Sequence, residues 1–314
     1  MNIRSILSGV AAATLLCALP ETTCAQIFVV NSGHGVAGAG SIAKYTTSGA
    51  TVNPALVSGL TDPQGIAVSG GKLFVAIRTS SGTGAIAEYT TSGALVNPSL
   101  ISGLDGPGVI AVSGGDLFVA TPRADIEAEM IGKYTTAGAT VNAALIPQLG
   151  PVPDIAVSGD NLFLTTETVV KKYITSGALV NGALVSGLSF ALGIAISGDK
   201  LFVVDSGTDP GTGTIGEYTL SGVPVNPALI SGLTFPGAID VSGDNLFVAG
   251  FDTGTIGKYT TSGATVNASL ISGLNDLGDI AVASVSVPEA SSVTLLLLGV
   301  AAMFGLRSLL RRPA

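Results

Sequence analysis

Few side chains in this 314-residue chain are of types that carry reaction chemistry, and the three that stand out are aspartates. Asp154 and Asp279 each directly precede an Ile-Ala-Val run, and Asp240 follows the isoleucine of the equivalent run Ile239-Asp240-Val241. Runs of one kind occupy one place in a repeating fold, so the three carboxylates are expected to approach one opening, where oxygen ligands suit calcium. Three acids at a solvated rim also need no metal. The expectation is therefore no cofactor, with Asp154, Asp240 and Asp279 as the candidate ligands of a divalent cation. His34 is the only histidine, which excludes a zinc site built from several histidines; it lies in the Gly-rich stretch 31–35 and reads as a solvated loop residue. Cys17 and Cys24, the only cysteines, both stand near the N-terminus, so a thiol-based site in the body of the chain is excluded as well. There is no Trp, and only Phe190, Phe235 and Phe251 fall outside the repeat described next and the C-terminal tail, too few aromatic faces for a strong sugar-stacking site.

The elements that must position these residues are written in a repeat. The six tyrosines, Tyr45, Tyr89, Tyr134, Tyr173, Tyr218 and Tyr259, recur every 40 to 45 residues or so, each inside a variant of Ile-Gly-Lys-Tyr-Thr-Thr-Ser-Gly. That period, with short alternating apolar runs and many glycines, is the signature of a β-propeller blade and lacks the long 3.6-residue pattern of a helical repeat. Each unit offers four strands: Ile-Ala-Val, then Leu-Phe-Val after a tight turn, then the tyrosine strand, then an outer strand around Val-Asn-Pro-Ala-Leu. The asparagine of that outer strand, Asn53 and its five equivalents, is expected to satisfy backbone at a turn. The first unit has Ile27 to Val30 but no Ile-Ala-Val before it; the last is followed by Ile280-Ala281-Val282 with no Leu-Phe-Val after it. The two fragments make one blade. The predicted fold is all-β: a six-bladed β-propeller with four antiparallel strands per blade, closed by pairing the N-terminal strands with a C-terminal inner strand. The run of Gly-Ile-Ala-Val, Leu-Phe-Val-Ala and a tyrosine strand resembles NHL-type propeller repeats, a resemblance that implies the fold and leaves activity open.

Both ends read as addresses, with hydrophobic helices expected outside the domain. Arg4 followed by an apolar run to Leu19 and by Thr23-Cys24-Ala25 predicts a signal peptide over 1–25, cut between Ala25 and Gln26. The propeller is expected over 26–286 and a sorting tail over 287–314. Residues 290–306 carry no charge and are long enough to span a bilayer, with Arg307, Arg311 and Arg312 following. Val287-Pro288-Glu289, the apolar span and the basic tip resemble the PEP-CTERM sorting signal, although its usual Pro-Glu-Pro reads Pro288-Glu289-Ala290 here. The resemblance implies an exosortase-type processing enzyme as a partner, transient anchoring in the inner membrane and release to the cell surface or outside.

Charged residues make up 11% of the chain and the net charge is −8, a balance that repels phosphate backbones and argues against nucleic acid as a partner. The leading expectation is thus a non-catalytic exported cell-surface or extracellular-matrix protein whose ring is a rigid scaffold for protein or polysaccharide contacts. Two alternatives stand beside it: a divalent-cation-dependent propeller hydrolase or lyase with a channel-mouth site, and a self-associating structural matrix protein.

Overall fold

A computed structural model describes residues 24–33, 36–79, 82–123 and 128–285. The leader before Cys24, His34 and the whole tail from 286, including Val287, Pro288, Glu289, Arg307, Arg311, Arg312 and the apolar span 290–306, lie outside the described residues. The Ala25-Gln26 junction falls at the start of the first strand, where Gln26 pairs with Thr46.

Each repeat folds into a four-stranded sheet. Blade two runs Pro63–Ser69, Lys72–Arg78, Thr83–Thr90, Leu95–Asp105, from the axis outward. Blade three is Ile110–Ser113, Asp116–Arg123, Ala128–Thr135, Thr140–Leu149; blade four is Ile155–Ser158, Asn161–Thr166, Val169–Ile174, Leu179–Val185. Blade five is Ala191–Ser197, Lys200–Asp205, Gly213–Thr219, Pro224–Leu233; blade six is Pro236–Ser242, Asn245–Gly250, Thr255–Thr260, Thr265–Ile271. Blade one is composite: the C-terminal strand Leu277–Val285 lies innermost beside Cys24–Asn31, followed by Gly40–Thr46 and Thr51–Leu60. The fold is a six-bladed β-propeller shut by the two ends of the described chain.

The chemistry of each strand follows from its radius. The second strand is covered by a neighbouring blade on both faces, so it is apolar without alternation: Leu73, Phe74, Val75 and Ala76 are all fully buried. Its phenylalanine packs against the tyrosine of the following blade, Phe74 with Tyr134, Phe118 with Tyr173, Phe163 with Tyr218, Phe202 with Tyr259, and Phe247 with Tyr45 across the closure. The inner hairpin turns in two residues; Gly70 and Gly71, at φ +57° and +77°, supply the left-handed pair that matches strand twist.

The outer strands are sheet edges, and the repeat blunts them. In every blade the asparagine Oδ1 accepts the N–H two residues on, at 2.9 to 3.3 Å, from Asn53 to Ala55 through Asn267 to Ser269. In blades one, two and five the intervening residue is Pro54, Pro98 or Pro227, which has no N–H at all. An edge whose donors are removed or occupied is a poor template for another strand. The exposed Val52, Val96, Val141, Val180, Val225 and Val266 therefore sit on a rim that does not invite sheet extension.

Blades also lock through a glycine. Gly49 lies at φ +88°, and a Cβ there would stand 2.6 Å from the Leu270 carbonyl oxygen of blade six. Gly49→Ala is expected to cost about 1–3 kcal/mol from strain and steric displacement at the closing junction. Gly70→Ala, at positive φ but with open space around it, should cost less; denaturant midpoints of the two variants check the order.

Candidate functional site

The residue before each inner-strand isoleucine decides how one blade meets the next around the axis. In blades four and one it is aspartate, and the carboxylate bridges two blades. Asp154 Oδ1 accepts from Ile155 N at 2.7 Å and Oδ2 from Ile194 N of blade five at 2.8 Å. Asp279 accepts from Ile280 N at 2.8 Å and from Ile66 N of blade two at 3.0 Å. Asp240, one position further along its strand, does the same between Val241 N at 2.7 Å and Val282 N of blade one at 2.6 Å. Asp154 and Asp279 line one cavity and Asp240 does not; all three side chains are half-buried and their oxygens already receive backbone N–H groups. An inner strand facing a channel has no further strand beside it, so its N–H groups need such acceptors.

Two further contacts near the axis come from residues not expected as site residues. Arg78 Nε donates to the Pro107 carbonyl of blade three at 3.2 Å, and Glu129 Oε2 of blade three accepts from Val152 N, just ahead of blade four, at 3.0 Å. Both depart from the repeat, and that departure was the available signal. A second, outer layer of bridges repeats the division between blades. Lys44, Lys172 and Lys258, of blades one, four and six, lie over their own blade's phenylalanine at 5.2 to 5.6 Å. Each donates to a turn carbonyl of the next blade: Thr91, Leu220 and Thr47. Blades two and five carry Glu88 and Glu217 there, paired within the blade to Lys72 at 2.8 Å and Lys200 at 3.0 Å. The blades that hold their successor by aspartate at the axis are the ones that hold it by lysine further out.

Electrostatics at the axis follow from crowding. Burial, with Asp240 adding repulsion, pushes the Asp279 carboxyl up to about 7, against the bonds from Ile66 and Ile280 N–H. Burial pushes Asp240 up to about 6, and Asp154 is held well above the ordinary carboxylate range by burial and then by the charge of Asp279. Glu129 is raised by burial, with Val152 N–H and Arg78 pulling the other way. Among the described residues no group of three or more His, Cys, Asp and Glu side chains is gathered tightly enough to hold a metal ion.

Arg78, Glu129, Asp154 and Asp279 line a cavity of about 310 Å³ at the channel mouth, walled on another side by Leu192 and Phe251. Gly108 leaves room for the Arg78 guanidinium, since a Cβ there would lie 3.2 Å from one terminal nitrogen. The Phe251 ring lies on Gly237, and Phe251 N bonds Phe235 O at 3.4 Å, so two of the three non-repeat phenylalanines meet at one end of blade six.

Fold and mouth together define the class, a six-bladed propeller with a small polar and aromatic cavity on its axis. No protein family and no curated protein matches the sequence. Solved structures share the fold. A chain from the nidogen/laminin complex superposes with a TM-score of 0.65 at 14% identity over 83% of this chain and 99% of its own. A proposed 6-phosphogluconolactonase from Bacteroides uniformis gives 0.59 at 12% over 83% and 100%, and a proposed glucose dehydrogenase from Thermus thermophilus gives 0.55 at 16% over 71% and 88%. At these identities the likeness is one of fold.

Proposed function

We propose that this protein is a non-catalytic, exported scaffold of the cell surface or extracellular matrix, whose propeller holds loops and a channel mouth in fixed relation for protein or polysaccharide contacts. The observation that carries this reading is a contrast: the strand pattern of each blade repeats, whereas Arg78, Glu129, Asp154, Asp279 and Phe251, residues outside that pattern, line one cavity. There the charged side chains nearest the axis are engaged in bridging blades, which suits a rigid support better than a reaction centre needing free acid and base. The nidogen/laminin likeness supports it only as an instance of this ring within a protein–protein assembly. The leader ending at Ala25-Gln26 and the tail built on Val287, Pro288, Glu289, Arg307, Arg311 and Arg312 support export, transient membrane anchoring through 290–306 and processing by an exosortase-type enzyme.

Mass spectrometry of the mature protein from its native host tests the route. Loss of both ends is the expected result; an intact basic tip would mean permanent anchoring. Retention of the purified ring on surface polysaccharide or envelope protein tests the binding role, and turnover of lactone or polyuronate substrates dependent on added calcium would overturn it.

A further inference from the structure

We propose that the channel mouth is a binding site for a small organic cation, an ammonium group carried on an apolar body, with Phe251 as its aromatic face and Asp279, Asp154 and Glu129 as the carboxylates around it. The proposal goes beyond the scaffold reading and stands or falls separately. Its volume, about 310 Å³, lies at the small end of ligand cavities and suits a body of one ring rather than a polymer. Its walls differ in kind. Phe251, 38% exposed, presents a ring held in place against Gly237, with Leu192 and Ala238 continuing the apolar side. The same cavity is lined by three carboxylates and, among the described residues, by one cation, Arg78, which is tied to the Pro107 carbonyl and acts on Glu129. Asp279 and Asp154, on blades one and four across the ring from one another, form no ion pair among the described residues. Each carboxylate has about four lone-pair directions and accepts two N–H bonds in the ring, so capacity for an ammonium donor remains. An aromatic face beside uncompensated carboxylates is the arrangement that recognises ammonium ions.

The groups facing the site are Arg78, Glu129, Asp154, Asp279 and, further along the channel, Asp240. Burial opposes ionisation of the four carboxylates, with repulsion between carboxylates adding to it at Asp154 and Asp279, and a bound cation relieves that repulsion. Binding is therefore expected to strengthen about tenfold from about pH 6 to pH 8, as Asp279 ionises while the amine stays charged.

Calorimetric titration of the full ring with phenethylammonium, and with the neutral isostere 2-phenylethanol, tests the site. The expected result is binding of the amine at least about tenfold tighter than the alcohol, weakened about fivefold or more in Phe251→Ala and at least about tenfold in Asp279→Asn. Should Asp279→Asn fail to fold, Glu129→Gln and the exposed Phe251→Ala carry the test. Absence of heat at millimolar amine, equal binding of alcohol and amine, or unchanged affinity in the folded variants would each overturn the proposal. So would calcium binding at the mouth with no effect of amine.

Discussion

Truncation after Asn275, which removes the inner strand Leu277–Val285, is expected to abolish cooperative folding, whereas a chain ending after Val285 should unfold in one sharp transition. Without that strand Ile27 and Val29 lose the buried Ile280 and the adjoining Leu277 and Val282. Blade one becomes three-stranded at the axis. The bridges from Asp279 to Ile66 N and from Asp240 to Val282 N vanish together, which leaves Ile66 N–H without its carboxylate partner. One buried Ile→Ala change costs about 2–5 kcal/mol, and an entire strand with its ladder approaches the whole net stability of a domain, about 5–15 kcal/mol. A circular permutant separates closure from strand content: with Leu277–Val285 placed ahead of Gln26 through a two-residue turn like Gly70-Gly71, folding should return. Circular dichroism and thermal melts of the three proteins decide. A truncated chain that melts like the full ring would show that the junction contributes little.

The second large effect is one of pH, and its sign is opposite to ordinary acid denaturation. In the unfolded chain Asp154, Asp240 and Asp279 titrate near the usual aspartate value of about 3.9. In the ring all three are raised, Asp240 to about 6 and Asp279 to about 7. The folded state thus binds the protons more tightly. Their stabilising effect is complete below about pH 4 and is lost as pH rises through the folded values near 6 and 7. Stability is expected to fall by a few kcal/mol between about pH 4.5 and pH 7.5, a figure kept modest because the side chains are partly exposed to the channel. Urea midpoints across that range measure it. Asp154→Asn, Asp240→Asn and Asp279→Asn combined should flatten the profile, and a wild-type profile that rises with pH would contradict the crowding of these carboxylates.

Much of this molecule was legible in the chain because a propeller is written as a repeat. Six tyrosines at a blade's period, a continuous apolar second strand and the split first blade translate directly into sheets, since each blade buries the same faces against the same neighbours. The outer asparagines were equally legible: a side chain that bonds backbone two residues on needs only local geometry. Asp154 and Asp279 are legible as acids just ahead of an Ile-Ala-Val run and Asp240 as an acid within one, but the solvated rim expected of them gives way to bridges between blades. Their partners Ile194, Val282 and Ile66 lie between 40 and 213 residues away, and nothing local announces that an inner-strand N–H will face a channel and require an acceptor. Arg78 was missed because an arginine at a strand end reads as surface until the next blade's Pro107 is placed beside it.

Periodicity alone therefore determined the blade, the number of blades and the way the ring shuts, because all three follow from which residues must be buried and how often they recur. Tertiary structure alone decided what the exceptional residues do. The axis of a ring brings together one short segment from every blade, and whether carboxylates there bridge strands, repel one another or face a cavity depends on distances of a few ångströms between positions far apart in the chain.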